Sequence, residues 1–140
     1  SFGYIDGGIS DKPLPGGGTN AFAGNRFRLQ PEVTASGGIN LRYPLGGGAT
    51  LYAVPSATYQ SKVYFELPNS EAISQPGYTL VNVRAGVEIA DGRWRVGGFA
   101  RNLLDKEYLI DAGNTGGGFG TPTYIRGEPR VYGVELSTRF

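Results

Sequence analysis

The chain has 140 residues, of which 39% are hydrophobic and 18% charged, and its formal net charge is +1. A charge this close to zero argues against a nucleic-acid-binding surface, and the absence of Cys and His excludes disulfides, Cys/His metal sites and a Ser-His-Asp triad. No run of 18 apolar residues occurs, so the sequence predicts no transmembrane helix. We predict no bound cofactor.

Two-residue alternation of apolar and polar side chains predicts six strands, because successive residues of a strand point to opposite faces of a sheet. The predicted strands cover residues 1–10, 33–43, 49–65, 78–90, 93–104 and 131–140. The first of them has no clear register. In the third, Val63 and Phe65 fall on the apolar face, and Pro55 predicts a bulge or a local break because it cannot donate to a ladder.

The Asp-Gly dipeptide between the fourth and fifth strands predicts a two-residue hairpin turn of type I′. Such a turn pairs Ile89 with Trp94 on one face and Glu88 with Arg95 on the other. Apolar side chains then oppose each other and opposite charges meet, which stabilises a hairpin. We predict that Glu88 and Arg95 pair on the polar face, which in a membrane barrel is the lumen side, and that Ile89 and Trp94 lie on the apolar face, which in such a barrel meets lipid.

Long and short connections alternate along the chain. Short turns join strands two and three and strands four and five, whereas the connections at about 11–32, 66–77 and 105–128 are long. In an up-and-down sheet this alternation places every long loop at one end and every short turn at the other. Outer-membrane barrels show the same asymmetry, with long extracellular loops and short periplasmic turns.

Aromatic residues form two bands on the predicted apolar face. Tyr43, Trp94 and Phe140 lie toward the short turns, and Tyr59, Phe65 and Tyr132 lie toward the long loops. Two such bands, with Phe140 ending the last strand, are typical of membrane interfaces. The sequence therefore predicts an all-β fold of antiparallel, up-and-down transmembrane barrel strands, although a soluble β-sandwich alternates in the same way.

Two motifs toward the end of the chain carry a resemblance to a known family. They are Asn102-Leu103-Leu104-Asp105-Lys106-Glu107-Tyr108 and Gly127-Glu128-Pro129-Arg130-Val131-Tyr132-Gly133, followed by the strand to Phe140. Together they resemble the C-terminal end of a TonB-dependent outer-membrane receptor. Leu104 stands where the family usually has Phe or Thr, and Val131 stands where Thr is frequent. The resemblance covers the whole chain and is strongest from Tyr78 onward.

The resemblance implies a barrel of about 22 strands in the bacterial outer membrane, plugged by an N-terminal domain. It implies import of a scarce ligand such as a ferric siderophore, cobalamin or a sugar, energised by the TonB complex. It also implies that the C-terminal strand with Phe140 contacts the outer-membrane assembly machinery. Because the chain begins at Ser1 and six strands cannot close such a barrel, we interpret 1–140 as its C-terminal portion, without the plug and the TonB-contacting region.

From this resemblance we predict a receptor and transporter of a small-molecule ligand rather than an enzyme. A soluble all-β ligand-binding module and a passive porin-like channel are the alternatives. Arg26 and Arg28 in the first long loop, and Arg126 and Arg130 near the third, are candidates for contact with an anionic ligand. Ordinary solvated charges, or charges that meet lipid headgroups, explain the same four arginines.

Overall fold

The computed structural model describes residues 1–113 and 123–139, which form eleven strands and one 3₁₀ helix. The strands are β1 (Phe2–Tyr4), β2 (Val33–Gly38), β3 (Leu41–Gly46), β4 (Ala49–Gln60), β5 (Val63–Tyr64), β6 (Ser74–Gln75), β7 (Tyr78–Ile89), β8 (Trp94–Arg101), β9 (Leu109–Gly113), β10 (Thr123–Arg126) and β11 (Val131–Thr138). The 3₁₀ helix covers Glu71–Ile73. Within the described ranges, none of the helical structure is long and apolar enough to cross a membrane.

One open antiparallel sheet contains seven of these strands. Their order is β1, β2, β4, β7, β8, β11, and β3 pairs with β4 beyond the end of β2. Apart from the break between β2 and β3, each strand of this sheet lies beside the one before it, so the predicted all-β, up-and-down arrangement is confirmed. Within the described residues the sheet does not close, because β1 and β3 form one edge and β11 forms the other.

The alternation of long and short connections is also confirmed. Tight turns join β3 to β4 and β7 to β8, a short break separates β2 from β3, and the connections from β1 to β2, from β4 to β7 and from β8 to β11 are long. Two of the long connections contain small hairpins, β5 with β6 and β9 with β10, which the sequence analysis missed. Strands of two to five residues are too short for their alternation to be distinguished from a loop.

The hairpin between β7 and β8 has the predicted register. Ile89 lies opposite Trp94, and Glu88 lies opposite Arg95. Arg93 donates its N–H to the carbonyl of Ala90 at 3.1 Å. The two central residues of the turn, Asp91 and Gly92, have positive φ angles of 55° and 86°, as a type I′ turn requires.

Three predicted strands extend about three or more residues beyond the end of the observed strand. The first is confined to Phe2–Tyr4 instead of 1–10, and the third ends at Gln60 instead of 65. The fifth ends at Arg101 instead of 104, because the next residue, Asn102, has a φ of 48° that takes the chain out of the extended conformation.

Of the two predicted alternatives, a bulge or a local break, Pro55 makes a local break in the ladder with the neighbouring strand. Gly38 lies opposite Ser56 and Leu41 lies opposite Ala53, so the register is the same on both sides of the interruption. Ile39 donates to the carbonyl of Pro55 at 3.0 Å, but proline has no N–H to return the bond. Predicted strand 33–43 is therefore divided into β2 and β3, while β4 continues through Pro55 along β7.

Candidate functional site

The main sheet has a polar and an apolar face. Tyr52, Glu88 and Arg95 lie on the polar side, which we call the inner face, and Leu51 and Val87 lie on the apolar side, the outer face. The alternation along each strand produces this division, because neighbouring residues project to opposite sides.

A buried carboxylate organises the inner face near the short turns. Arg95 donates to Glu88 Oε1 through Nη2 at 2.6 Å and through Nε at 3.1 Å, and Arg42 pairs with Oε2. The Glu88 side chain is only 8% exposed, so both oxygens need charged partners to offset the loss of hydration. The structure thus brings the predicted pair together and adds Arg42, which comes from β3 and was not predicted.

A tyrosine spans four strands of the inner face. Tyr52, Gly86, Gly97 and Glu135 lie in one row across β4, β7, β8 and β11. The ring of Tyr52 crosses the two glycines, and its hydroxyl donates to Glu135 Oε1 at 2.9 Å. Glu135 Oε2 also lies 3.2 Å from Nε of Arg84. The absence of side chains at both glycines is what allows this long-range contact.

The two sequence motifs meet where β8 ends and β11 begins. Asn102 donates from Nδ2 to the carbonyls of Lys106 and Glu128 at 2.9 and 3.0 Å, and its Oδ1 accepts from the N–H of Lys106 at 2.8 Å. Asp105 Oδ1 accepts from the N–H of Arg130 at 3.2 Å. We call these contacts the motif clasp. They explain why an Asn and an Asp three residues apart accompany the Pro-Arg sequence that precedes the last strand.

Replacing Asn102 by Ala in the full-length protein should destabilise it by about 2 kcal/mol, because three hydrogen bonds between its buried side chain and the backbone are lost. The side chain is nearly fully buried, and it joins the carbonyl of Lys106 to that of Glu128. Urea unfolding in lipid vesicles measures the effect. Asn40→Ala is the control, since Asn40 is exposed and its change should stay within about 0.5 kcal/mol. Equal costs for the two variants would contradict a stabilising role for the motif clasp.

Tyr108 packs beside the motif clasp. Its ring stacks on Tyr78 with centroids 4.7 Å apart and covers Gly127, where an added Cβ would lie 2.1 Å from Tyr108 Cζ. The Tyr108 hydroxyl accepts from the N–H of Glu128 at 3.2 Å. Tyr108 of the first motif therefore packs directly on Gly127 of the second, where no side chain blocks it.

The long loops pack together around a small apolar core. Val63, Phe65, Ile73 and Ala112 are buried there, and Leu109 packs against them. Because β4 ends at Gln60, Val63 and Phe65 leave the sheet, and the predictions that they lie on its apolar face and that Phe65 joins an aromatic band are wrong. Burial from water explains their apolar character equally well.

Polar contacts tie the first long loop to the second. Asn69 accepts from the N–H of Arg26 at 2.6 Å, and its own N–H donates to Asn25 Oδ1 at 2.6 Å.

Lys62 forms an ion pair with Glu71, which raises the pKa of Lys62 and lowers the pKa of Glu71. The contribution of this exposed pair is present above the ordinary pKa of a glutamate and is lost as acid protonates Glu71.

The four candidate arginines all have partners within the chain. Arg26 Nε lies 3.2 Å from Glu32, and Arg28 donates to the carbonyl of Phe65 at 2.6 Å. Arg126 lies 3.7 Å from Glu107, and Arg130 lies 3.6 Å from Asp105 with its guanidinium over Tyr132. Arg26 and Arg28 hold loops together, whereas Arg126 is largely exposed. Each of the four arginines thus contacts a different residue of the chain.

The predicted interface aromatics are exposed on the outer face. They are Tyr43, Trp94, Tyr59 and Tyr132. Phe140 lies outside the described residues. Tyr43 and Trp94 belong to strand segments next to the tight turns, and Tyr59 and Tyr132 to segments next to the long loops. Among the described residues no group of three acidic side chains is close enough to hold a metal ion.

Comparison with known proteins agrees with this architecture. A profile of the family described as TonB dependent receptor-like, beta-barrel matches residues 1–103. The chain belongs to this family. The match ends at Leu103, so the motif clasp lies almost entirely beyond it. No curated protein matches.

A solved structure supports the fold independently. The ferric yersiniabactin uptake receptor FyuA from Yersinia pestis superimposes with a TM-score of 0.73 at 19% sequence identity. The similarity covers 84% of this chain and 18% of that one. The chain thus spans less than a fifth of the receptor it matches. Proteins of this family are outer-membrane receptors, and the outer membrane is where this chain resides.

Proposed function

We propose that the chain forms part of the wall and the extracellular loops of a receptor that takes up a scarce ligand by TonB-coupled active transport. The division of the sheet into an apolar outer face and an ion-paired inner face carries the proposal. A barrel wall needs that division, with lipid on one side and an aqueous or protein-filled lumen on the other. We place the chain in the C-terminal portion of the barrel, because its two motifs resemble the end of such receptors.

The exposed outer face favours this proposal over a soluble binding module. Val134 is 92% exposed, and Leu136, Leu41 and Ile39 are each more than half exposed. A soluble monomer rarely presents apolar side chains along so many strands, whereas lipid accommodates them. The family favours a receptor over a passive porin-like channel, and we assign the chain no catalytic step. Tyr43, Trp94, Tyr59, Tyr132 and Phe140 are proposed to lie at the membrane interfaces.

For the ligand we propose the siderophore, cobalamin or carbohydrate class. FyuA is named for ferric yersiniabactin uptake, which supports the siderophore class first. Contact with the ligand is assigned to the long loops and to nearby inner-face residues, including Arg126, whose side chain is largely exposed. Coupling to TonB is assigned to a region outside this chain, and contact with the assembly machinery to the C-terminal strand.

Shortening the third long loop should reduce ligand uptake while leaving membrane insertion unchanged. Gly113 and Thr123 pair directly across β9 and β10, so an Asn-Gly turn can replace 114–122 without moving the buried Ala112. This design is preferable to removing 112–121, which would open the loop core. Uptake of radiolabelled ferric siderophores is measured in cells, and insertion is measured by heat-modifiable gel migration.

The control is the unaltered full-length protein in cells with and without TonB. Uptake that needs TonB and falls severalfold in the shortened variant is the expected result. Uptake that does not depend on TonB would overturn the proposed transport mechanism. Full uptake by the shortened variant would remove residues 114–122 from the ligand site.

A further inference from the structure

A recess of about 730 Å³ lies on the inner face at the end of the sheet where the tight turns are. The β7–β8 turn, the ends of β8 and β11, and the side chains of Arg42 and Glu88 bound it. We call it the turn-end recess. Four arginines and two carboxylates line it, which gives a net charge of +2, and its volume is typical of a small-molecule site.

Two of these arginines lie side by side without an anionic partner. The N–H of Arg139 donates to the carbonyl of Arg93 at 2.8 Å, so β8 and β11 stay paired beyond the last residues of their ladder. Both side chains line the turn-end recess. Like charges in directly opposite positions of a sheet repel each other. Within residues 1–113 and 123–139, neither guanidinium forms an ion pair or a hydrogen bond.

The first carboxylate of the turn-end recess is already neutralised. Arg95 binds one oxygen of Glu88 and Arg42 binds the other. This buried trio retains one positive charge and therefore adds to the excess in the turn-end recess rather than reducing it.

The second carboxylate, that of Asp91, leans toward the β3–β4 turn. A Cβ added to Gly48 would lie 3.1 Å from Asp91 Oδ1, and the N–H of Asp91 donates to the carbonyl of Gly48 at 3.0 Å. The β3–β4 turn lies on the opposite side of the β7–β8 hairpin from β11. Asp91 is thus drawn away from the strand end that carries Arg139.

A small residue keeps the space beside the two unpaired arginines open. Ser137 lies opposite Arg95, on the same face as Arg139 two residues later. Its side chain is short, and its hydroxyl adds a donor to the lining of the turn-end recess.

We propose that the turn-end recess binds a phosphate group, held by charge-assisted hydrogen bonds from Arg93 and Arg139. The planar fork of a guanidinium matches two oxygens of a phosphate. A dianion between the two arginines also removes their mutual repulsion. The volume of about 730 Å³ admits a second phosphate, so pyrophosphate is a suitable probe.

Soluble phosphorylated molecules and phospholipid headgroups both carry this group. Headgroups meet the outer face of a barrel wall, whereas the turn-end recess lies on the inner face, so we assign the phosphate to a water-soluble molecule. In the proposed receptor the tight turns face the periplasm. That location rests on the proposed function, but the binding site does not, and a binding assay tests it without reference to uptake.

Isothermal titration of inorganic pyrophosphate into the purified full-length protein in detergent tests the turn-end recess. Submillimolar binding is expected at low ionic strength, where exposed charges are least screened. Arg93→Gln and Arg139→Gln should each weaken binding about tenfold, since each removes charge-assisted hydrogen bonds. Arg84→Gln is the matched control, because it makes the same charge change on the inner face outside the turn-end recess and should leave binding unchanged.

A further variant supplies an anion from the chain itself. Ser137→Glu places a carboxylate opposite Arg95 and two residues from Arg139, so it should abolish binding of pyrophosphate. Pyrophosphate should raise the urea unfolding midpoint of the unaltered protein and leave that of Ser137→Glu unchanged. A rise in both midpoints would contradict binding in the turn-end recess.

Three other results would overturn the proposal. One is equal weakening by Arg84→Gln, which would indicate a general attraction to positive charge. Another is an absence of binding to the unaltered protein, as expected if another segment of the full-length protein fills the turn-end recess. The third concerns the source. Pyrophosphate should bind equally well to protein in phosphatidylcholine vesicles with and without phosphatidylglycerol, and its displacement by phosphatidylglycerol would assign the site to lipid headgroups.

Discussion

A single methyl group added at Gly86 should destabilise the full-length protein by about 3 kcal/mol. A Cβ at this position would lie 2.3 Å from the carbonyl oxygen of Val96 and 2.5 Å from Cα of Gly97. Both are backbone atoms of the paired strand β8, so they move only if the ladder moves. The same Cβ would lie 2.8 Å from the Tyr52 hydroxyl and would disturb its contact with Glu135.

Gly37→Ala is the matched control for Gly86→Ala. Gly37 also lies in the main sheet, but a Cβ there meets nothing within 4 Å, and its φ is not in the left-handed region. Its replacement should be neutral or should stabilise the protein by up to about 1 kcal/mol. Urea unfolding midpoints in lipid vesicles compare the two variants. A similar effect of both would mean that β7 and β8 do not approach as closely as the structure shows.

An arginine at Val83 should cost about 2–4 kcal/mol, because it would place a charge near the middle of the lipid-facing surface. Val83 lies on the outer face near the centre of β7, opposite Pro55 on one side and Ala100 on the other. Val87→Arg should destabilise the protein less than Val83→Arg. Val87 is closer to the turn, so the long side chain of the new arginine can extend toward the membrane interface.

Arg84→Gln is the control for charge on the opposite face. Arg84 neighbours Val83 in sequence, but it lies on the inner face and is more than half exposed. Its replacement should cost well under half as much as the arginine at Val83, as for other exposed ion pairs. Unfolding in vesicles of matched lipid composition gives both values. Equal costs at the two positions would indicate water on both faces of the sheet and would exclude a membrane wall.

Features set by neighbouring residues could be predicted from the sequence. The β7–β8 hairpin follows from its Asp-Gly turn, because the turn fixes the register and the register fixes every cross-strand pair. From the same register, Gly86 and Gly97 could have been recognised as facing each other. The contact between Glu88 and Arg95 was predictable for this reason, whereas Arg42 joins them from a strand whose pairing the sequence does not specify.

Contacts between distant parts of the chain could not be predicted. The Tyr52 contact with Glu135 depends on the registers of three successive strand pairs and on two glycines between them. Val63 and Phe65 continue the alternation of β4, yet the chain has already left the sheet at Gln60. Alternation indicates that a side chain is buried from water, but it does not tell a lipid-facing surface from a small core under loops.

The packed long loops fold in water, whereas the outer face of the sheet is proposed to contact lipid. Phe65 and Ile73 are removed from water when the loops pack, so that step carries the positive heat capacity of unfolding that apolar burial produces. In the proposed barrel, outer-face residues such as Val134 stay in hydrocarbon and contribute little to that heat capacity. Cooling therefore weakens the packing of the loops while the hydrogen-bonded wall is largely unaffected. The stability of the loops should therefore depend on temperature as that of a water-soluble protein does, whereas the stability of the sheet should depend mainly on the bilayer.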